Sequence, residues 1–157
     1  MLVLRNIKPG DKKLFACWWR DKELLKRTSG ILKRISDKEV DKYFRGIIKS
    51  KSDFHFIITF NGKSIGHVSL ANRKNGWYET QIIIGNKKYW GKGYGSKAIV
   101  LLIRRAKRMG ISKIYLEVRP TNNRAIRAYE RCGFKKIEKV FYPKNKHLPE
   151  TLRMELE

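Results

Sequence analysis

Three glycines at alternate positions, Gly91, Gly93 and Gly95, lie between an apolar run, Ile82-Ile83-Ile84, and a long helical pattern. No other stretch restricts the fold as tightly. Alternating glycines let the backbone turn sharply and present successive N–H groups. When those groups feed straight into a helix, the orphan amides of its first turn and the positive end of its dipole form an anion site. Lys87, Lys88 and Lys92 place charge beside it. A pyrophosphate is the natural ligand of such a loop.

The flanking pattern defines the class. Residues 2–7 read as a first strand, and Pro9-Gly10-Asp11 opens a helix to about Leu25, with Leu14, Phe15, Trp18 and Trp19 on its apolar side. Ser36 and Glu39 form a capping box for a second helix to Lys49. Strands at 55–60 and 63–70 flank Asn61-Gly62, a hairpin signal. A strand at 77–84, a helix at 93–109, a strand at 113–118 and a short helix at 123–132 follow, with last strands at 137–141 and 152–156. The expected fold is α/β. It is a mixed, mostly antiparallel sheet of about seven strands with about four helices, in a single domain over residues 1–157. Only the strand–helix–strand unit at 77–118 requires a parallel pair.

Three phosphate-binding patterns are weighed against the loop. A Walker loop needs G-x-x-x-x-G-K-[ST], which the chain lacks. A dinucleotide fingerprint needs G-x-G-x-x-G directly after a strand. Gly91 and Gly93 fit, but Ser96 takes the third glycine's place, and the chain has one clear βαβ unit. Glu117 would be the ribose-binding acid in that reading.

The third pattern is carried by two segments. Trp90-Gly91-Lys92-Gly93-Tyr94-Gly95 resembles the acetyl-CoA loop of the GNAT superfamily of N-acetyltransferases, Gln/Arg-x-x-Gly-x-Gly/Ala. Asn122 to Phe134 is similar to that family's Asn-x-x-Ala-x-x-x-Tyr-x-x-x-Gly-Phe motif, position for position. The two stand in order, one helix and one strand apart, and the element order matches along nearly the whole chain. Trp90 departs from the usual Gln or Arg, as in the branch containing ribosomal-protein N-terminal acetyltransferases; Glu79 to Ile84 resembles the polyamine acetyltransferase branch.

The resemblance implies acetyl-CoA as co-substrate, no metal, and direct acetyl transfer to a primary amine in a ternary complex. It implies that the central strands splay for the pantetheine arm, with backbone groups of Ile82, Ile83 and Ile84 pairing with it. Trp90, Gly91, Lys92, Gly93, Tyr94, Gly95 and Ser96 would form the pyrophosphate loop. Asn122 would bind the pantetheine or cap its helix. Tyr129 is the expected general acid and Glu79 the expected base, acting through water. Trp18, Trp19, Arg20, Asp21 and Glu23 would wall the acceptor.

Charge narrows the partners. The chain carries 37 basic and 14 acidic residues, a net of +23. Residues 86–146 hold 18 basic residues against 3 acidic ones. Such a field favours anionic partners. The acceptor reading is therefore a protein N-terminus or an aminoacyl-tRNA, with nucleic acid as a partner class. A polyamine or other small amine is the alternative acceptor. A non-catalytic RNA- or ribosome-binding protein on the same fold is the alternative of another class, with Tyr89, Trp90 and Tyr94 stacking on bases. Cys17 and Cys132 read as free thiols of a reducing, cytoplasmic compartment, without the partnered histidine of a covalent mechanism. The three histidines lack metal-ligand spacing, and neither a leader nor a membrane-spanning run is seen. The expected assembly is a monomer or homodimer.

Overall fold

The computed structural model describes residues 1–156. Strand β1 (Leu2–Asn6) leads through a 3-10 turn at Pro9–Asp11 into α1 (Lys12–Arg20), α2 (Lys22–Arg27) and α3 (Asp37–Lys49). Then come β2 (Phe54–Phe60), β3 (Lys63–Asn72) and β4 (Trp77–Ile84). The rest alternates: α4 (Tyr94–Arg108), β5 (Lys113–Val118), α5 (Asn123–Arg131), β6 (Phe134–Phe141) and β7 (Glu150–Leu156). The seven strands form one sheet in the order β1-β2-β3-β4-β5-β7-β6, antiparallel everywhere except between β4 and β5.

Helix number is corrected from about four to five. The apolar pattern over 9–25 is continuous, but Asp21 leaves helical geometry (ψ 109°) and turns its carboxylate onto the Leu24 amide at 3.1 Å. An N-cap inside an amphipathic run splits it into two helices. The last strands also start earlier than their apolar residues suggest. β6 begins at Phe134 and slips register between Lys136 and Glu138, so its alternation is blurred by a bulge. Elsewhere local signals hold. Asn61 and Gly62 turn with φ of 47° and 79°, and Ser36 and Glu39 cap α3 reciprocally at 3.1 and 2.8 Å.

The sheet is covered on both faces because its central strands are apolar on both. Ile57 and Ile58, adjacent and each fully buried, point to opposite sides. Ile58 joins the larger core with Val68, Leu70, Ile99, Leu102, Leu116 and Met154 under α4 and α5. Ile57 joins a smaller one with Phe15, Trp18, Leu24 and Phe44 under α1 to α3. Each such side chain contributes ~1.5–3 kcal/mol when fully buried. Arg5 fastens β1 to the helical side. Its guanidinium grips the buried Asp11 carboxylate at 2.8 Å through both nitrogens and holds that carboxyl below its usual range.

A histidine pair lies between sheet and helices. His55 Nδ1 and His67 Nε2 are 3.0 Å apart across β2 and β3, with Phe15 edge-on to His67 at 4.9 Å. One neutral ring must donate and the other accept. Burial lowers the His67 pKa to about 3, with the His55 charge adding to the effect. Above pH 6.5 both folded and unfolded chains keep this ring neutral. As pH falls from 6.5 towards 3, the unfolded chain takes up a proton that the folded chain refuses. Stability should drop over that window by up to ~5 kcal/mol. Denaturant midpoints at pH 7.5, 6.0 and 4.5 check this. The His67→Gln variant should show a clearly flatter dependence, and an unchanged slope would count against the assignment.

Candidate active site

β4 and β5 pair at only three positions, Trp77 with Lys113, Tyr78 with Ile114 and Glu79 with Tyr115. Beyond Glu79 and Tyr115 the ladder ends and the strands part. Neither frays, because each is held along its other edge. β3 pairs with β4 as far as Gly66 with Ile84, and β7 pairs with β5 as far as Val118 with Leu152. Half the backbone groups of the freed β4 edge therefore lack a strand partner on the β5 side. The gap opens a cleft of about 550 Å³ lined by residues 79–83 of β4, 116–118 of β5, Arg119, Asn122, Ala125 and Tyr129.

The glycine loop lies next to the freed segment of β4. Gly91 and Gly93 have φ of 75° and 79°, a region that costs any other residue strain. Gly93 is the N-cap of α4 and supplies no side-chain cap; the first turn of α4 holds no acid, while its last turn holds Arg105, Lys107 and Arg108. The amides of that first turn are thus left for an anion, and the dipole is biased to receive one. Arg124 of α5 overhangs the loop, its Nη2 3.1 Å from where a Gly91 Cβ would stand. Gly95 lies beside Ile82 Cδ1, and Ile82 lines the cleft, so the loop abuts the cleft wall.

Trp90 explains its own departure from Gln or Arg. Its indole N–H donates to the Ile84 carbonyl at 2.5 Å, and the Arg27 guanidinium lies 4.2 Å over its ring. The side chain pins the loop to the end of β4 and to α2. Gly85, between these anchors, admits Trp18 so closely that an added Cβ would stand 2.1 Å from its indole nitrogen. Lys87 takes a different part from the one expected: it pairs with Asp21 at 3.2 Å and Glu23 at 2.9 Å. Lys88 and Lys92 have no acidic partner among the described residues.

Tyr129 reaches the cleft from α5. Its hydroxyl is pushed up to about 12 by burial, with Cys132 adding to the effect, so it stays protonated at neutral pH. Asn122 caps α5 by accepting from the Ala125 amide at 3.2 Å while lining the cleft. Glu79 is held by Arg73 (Nη2 at 2.8 Å, Nε at 3.0 Å), with the Tyr115 hydroxyl at 3.4 Å. The cleft also holds an acid that the sequence reading had assigned only to a rejected dinucleotide site. Glu117 accepts from the Tyr142 hydroxyl at 2.6 and 2.8 Å and from Thr151 Oγ1 at 2.6 Å. These partners are neutral, and Glu117 has no basic one among the described residues. Burial and the Glu117 carboxylate push Tyr142 up to about 12. Alternation along 113–118 could have found Glu117, since it shares the face of Tyr115 opposite the core.

The acceptor wall is realised in part. Trp18 and Trp19 line the cleft with Leu24, Leu25, Arg27, Thr28 and Ser29. Arg20 instead binds Asp37 at 2.6 Å and the Ile35 carbonyl at 3.1 Å, and Asp21 and Glu23 turn to Lys87. Among the described residues no group of His, Cys, Asp and Glu has the arrangement to hold a metal, and no helix is long and apolar enough to cross a membrane. Cys132 is raised by burial, with its thiol 3.7 Å from the Ser96 carbonyl, which leaves it a poor nucleophile.

The expected coenzyme A fits these features. An extended amide-bearing arm matches the unpaired β4 edge, and a pyrophosphate matches the uncapped α4 amides beside Arg124. The Thr80 hydroxyl is buried in the cleft wall with no hydrogen-bond partner, a group that a polar ligand would satisfy.

Comparisons agree with this reading. A family model described as an acetyltransferase (GNAT) domain matches residues 1–135. An aminoglycoside N(6')-acetyltransferase type 1 of Klebsiella pneumoniae is 28% identical over 117 residues, covering 66% of this chain and 58% of that protein. An uncharacterised protein of Methanocaldococcus jannaschii is 25% identical over 140 residues, 88% of this chain and 29% of that protein. The chain thus spans less than two thirds of the length of these curated relatives. Among solved structures, spermidine N-acetyltransferase from Vibrio cholerae in complex with coenzyme A and spermine superposes with a TM-score of 0.85 at 24% identity, covering 99% of this chain and 94% of that one. AAC(6')-Ib with ribostamycin and coenzyme A gives 0.82 at 22% identity, covering 99% and 92%.

Two variants test the site. Gly93→Asp should weaken coenzyme A binding at least ~tenfold in calorimetric titration, by strain and by a carboxylate against the phosphates. Thr80→Val removes a buried, unpaired hydroxyl. It should raise the melting temperature of the free protein by ~2–4 °C while loosening coenzyme A.

Proposed function

This chain belongs to the GNAT acetyltransferase family, and on that premise we propose that it is an acetyl-CoA-dependent N-acetyltransferase acting on a primary amine by direct transfer. The observation that carries the proposal is the parting of β4 and β5 beyond Glu79 and Tyr115, with the uncapped α4 amides next to the freed β4 segment and Tyr129 in the wall. A packed, non-catalytic sheet has no use for an interrupted ladder at its centre.

Acetyl-CoA supplies the acetyl group as an activated thioester. The loop from Trp90 to Ser96 holds the pyrophosphate with backbone amides, and Arg124 and Lys92 add charge. The freed edge at Ile82 and Ile83 aligns the arm and presents an N–H to the carbonyl oxygen, where negative charge develops; the Ile84 carbonyl, expected to join them, is taken by the Trp90 indole. Glu117, the acid of the cleft without a cationic partner, attracts the acceptor's ammonium. Glu79 takes up the proton that the ammonium must lose, through water; its pairing with Arg73 orients the carboxylate. The amine nitrogen then bonds to the carbonyl carbon as the carbon–sulfur bond breaks. The Tyr129 hydroxyl gives the leaving sulfur its proton, and the second proton shed by the newly acylated nitrogen returns through water to the Tyr129 oxygen, which restores the acid. A hydroxyl near 12 yields a proton only to a strongly basic sulfur, and desolvation in the same cleft raises the basicity of that sulfur.

For the acceptor we propose the amine of a macromolecule, in the first place a protein N-terminus, rather than a free polyamine. The net charge of +23 supports this, since a polycation is repelled within about a Debye length, ~8 Å at physiological salt. The proteins of similar fold include enzymes named for spermidine and for aminoglycosides, and these set the competing acceptors.

Tyr129→Phe should lower kcat ~10²–10³-fold with coenzyme A affinity unchanged within about twofold. Native turnover would return Tyr129 to a packing role. Glu117→Gln should raise KM for the amine ~tenfold with kcat within a few fold, whereas Glu79→Gln should lower kcat. Steady-state kinetics on one amine separates the two carboxylates, and the reverse pattern would exchange their roles.

A further inference from the structure

A second cavity, about 720 Å³, adjoins the acceptor end of the cleft. The two share Tyr142 and Asn145 in their walls. One rim is the loop 28–36 that leaves α2; the other is the loop 142–149 between β6 and β7. Arg119, at the end of β5, ties the rims together, donating to the Thr28 carbonyl at 2.8 Å and to the His147 carbonyl at 3.5 Å. The outer cavity is therefore an open, shallow continuation of the cleft.

Its lining differs in chemistry from the inner cleft. Ile31, Phe141 and Pro143 are apolar, and Ile31 and Phe141 are 49% and 64% exposed. Side chains this large seldom stand free in water in a contiguous patch without a partner. Lys144 and Lys146 stand beside them, and neither has an acidic partner among the described residues. The nearby acids are engaged: Glu150 with Lys139 at 3.2 Å, Asp37 with Arg20, and Glu117 inside the cleft. The path from inside to outside thus runs from a carboxylate without a cation to two lysines without an anion.

We infer that the outer cavity is a specificity subsite for an acidic peptide. The N-terminal amine enters towards Glu117, an apolar side chain near the N-terminus rests on Ile31 and Phe141, and a following carboxylate meets Lys144 and Lys146. This deepens the proposed reaction and rests on it. Charge complementarity selects the occupant. A polyamine or an aminoglycoside would carry its remaining cations onto the lysines. A polynucleotide draws its affinity from many phosphate contacts, and two lysines around an apolar floor suit a few side chains better. Extended peptide advances ~3.3 Å per residue, so two to four residues span a cavity of this size.

The test uses the whole chain with acetyl-CoA and three tetrapeptides that share an N-terminal Ala-Leu and end in Glu-Glu, Gln-Gln or Lys-Lys. The expected order of kcat/KM is acidic, neutral, basic, with about five- to tenfold between the extremes. The advantage should shrink as salt rises. The double variant Lys144→Glu, Lys146→Glu should reverse the order while coenzyme A binding stays at the parental value. Spermidine should be a poorer acceptor than the acidic peptide for the parent and a better one for the variant. Equal rates on the three peptides, preference for spermidine by the parent, or acetylation of aminoacyl-tRNA with all peptides ignored would each overturn the subsite. Fluorescence anisotropy of labelled peptides separates this failure from failure of the reaction. Selective binding of the acidic peptide without turnover would retain the subsite and overturn the proposed chemistry.

Discussion

The short parallel ladder between β4 and β5 is the constraint on which the rest of the molecule depends. Three residue pairs join the two halves of the sheet, and past Glu79 and Tyr115 the halves go their own way. An interrupted ladder in the middle of a sheet normally leaves costly unsatisfied backbone. Here that backbone faces a cleft instead of apolar core, and the outer edges of β4 and β5 stay fully paired with β3 and β7. The cavity exists because two well-held half-sheets are hinged at one end.

The other features of the site are arranged around this opening. The α4 N-terminus reaches it because the loop after β4 is pinned twice, by the Trp90 indole on the Ile84 carbonyl and by Trp18 packed against Gly85. α5 reaches it through the Asn122 cap, which sets the start of the helix that carries Tyr129. The helices α1 to α3 close the opposite side, held to the sheet by the aromatic group around Phe15 and by the Arg5 and Asp11 pair. Electrostatics are graded along the same path. Amides and cations lie at the loop end, a carboxylate without a cation in the middle, and lysines at the outer rim.

Much of this was legible in the residues, for physical reasons that can be named. The glycine alternation at 91 to 95 and the motif from Asn122 to Phe134 are local: positive φ, caps and helix entry depend on neighbours within a few positions. The hairpin at Asn61-Gly62 and the box at Ser36 and Glu39 formed as expected for the same reason. Where the reading missed, a local cue was overridden. Asp21 broke a continuous apolar pattern by capping within it, and the bulge near Ile137 hid the first residues of β6. Lys87 looked like a phosphate ligand by position and became an ion-pair partner of Asp21 and Glu23, residues 66 and 64 positions away in the chain.

By itself the sequence determined the order of elements, the glycine loop that enters α4, the tyrosine of α5, and the strong positive charge, since each of these is written in spacing or composition. Tertiary structure alone decided which acids share the cleft and which of them keeps its charge unopposed. Glu79 and Glu117 look alike in the sequence as strand carboxylates. Folding brings Arg73 onto one and the hydroxyls of Tyr142 and Thr151 onto the other. It also brings residues 31, 141 and 144–147 to one mouth, although more than a hundred positions separate the two loops. Long-range pairing of this kind depends on how the two half-sheets diverge, and no local propensity encodes it.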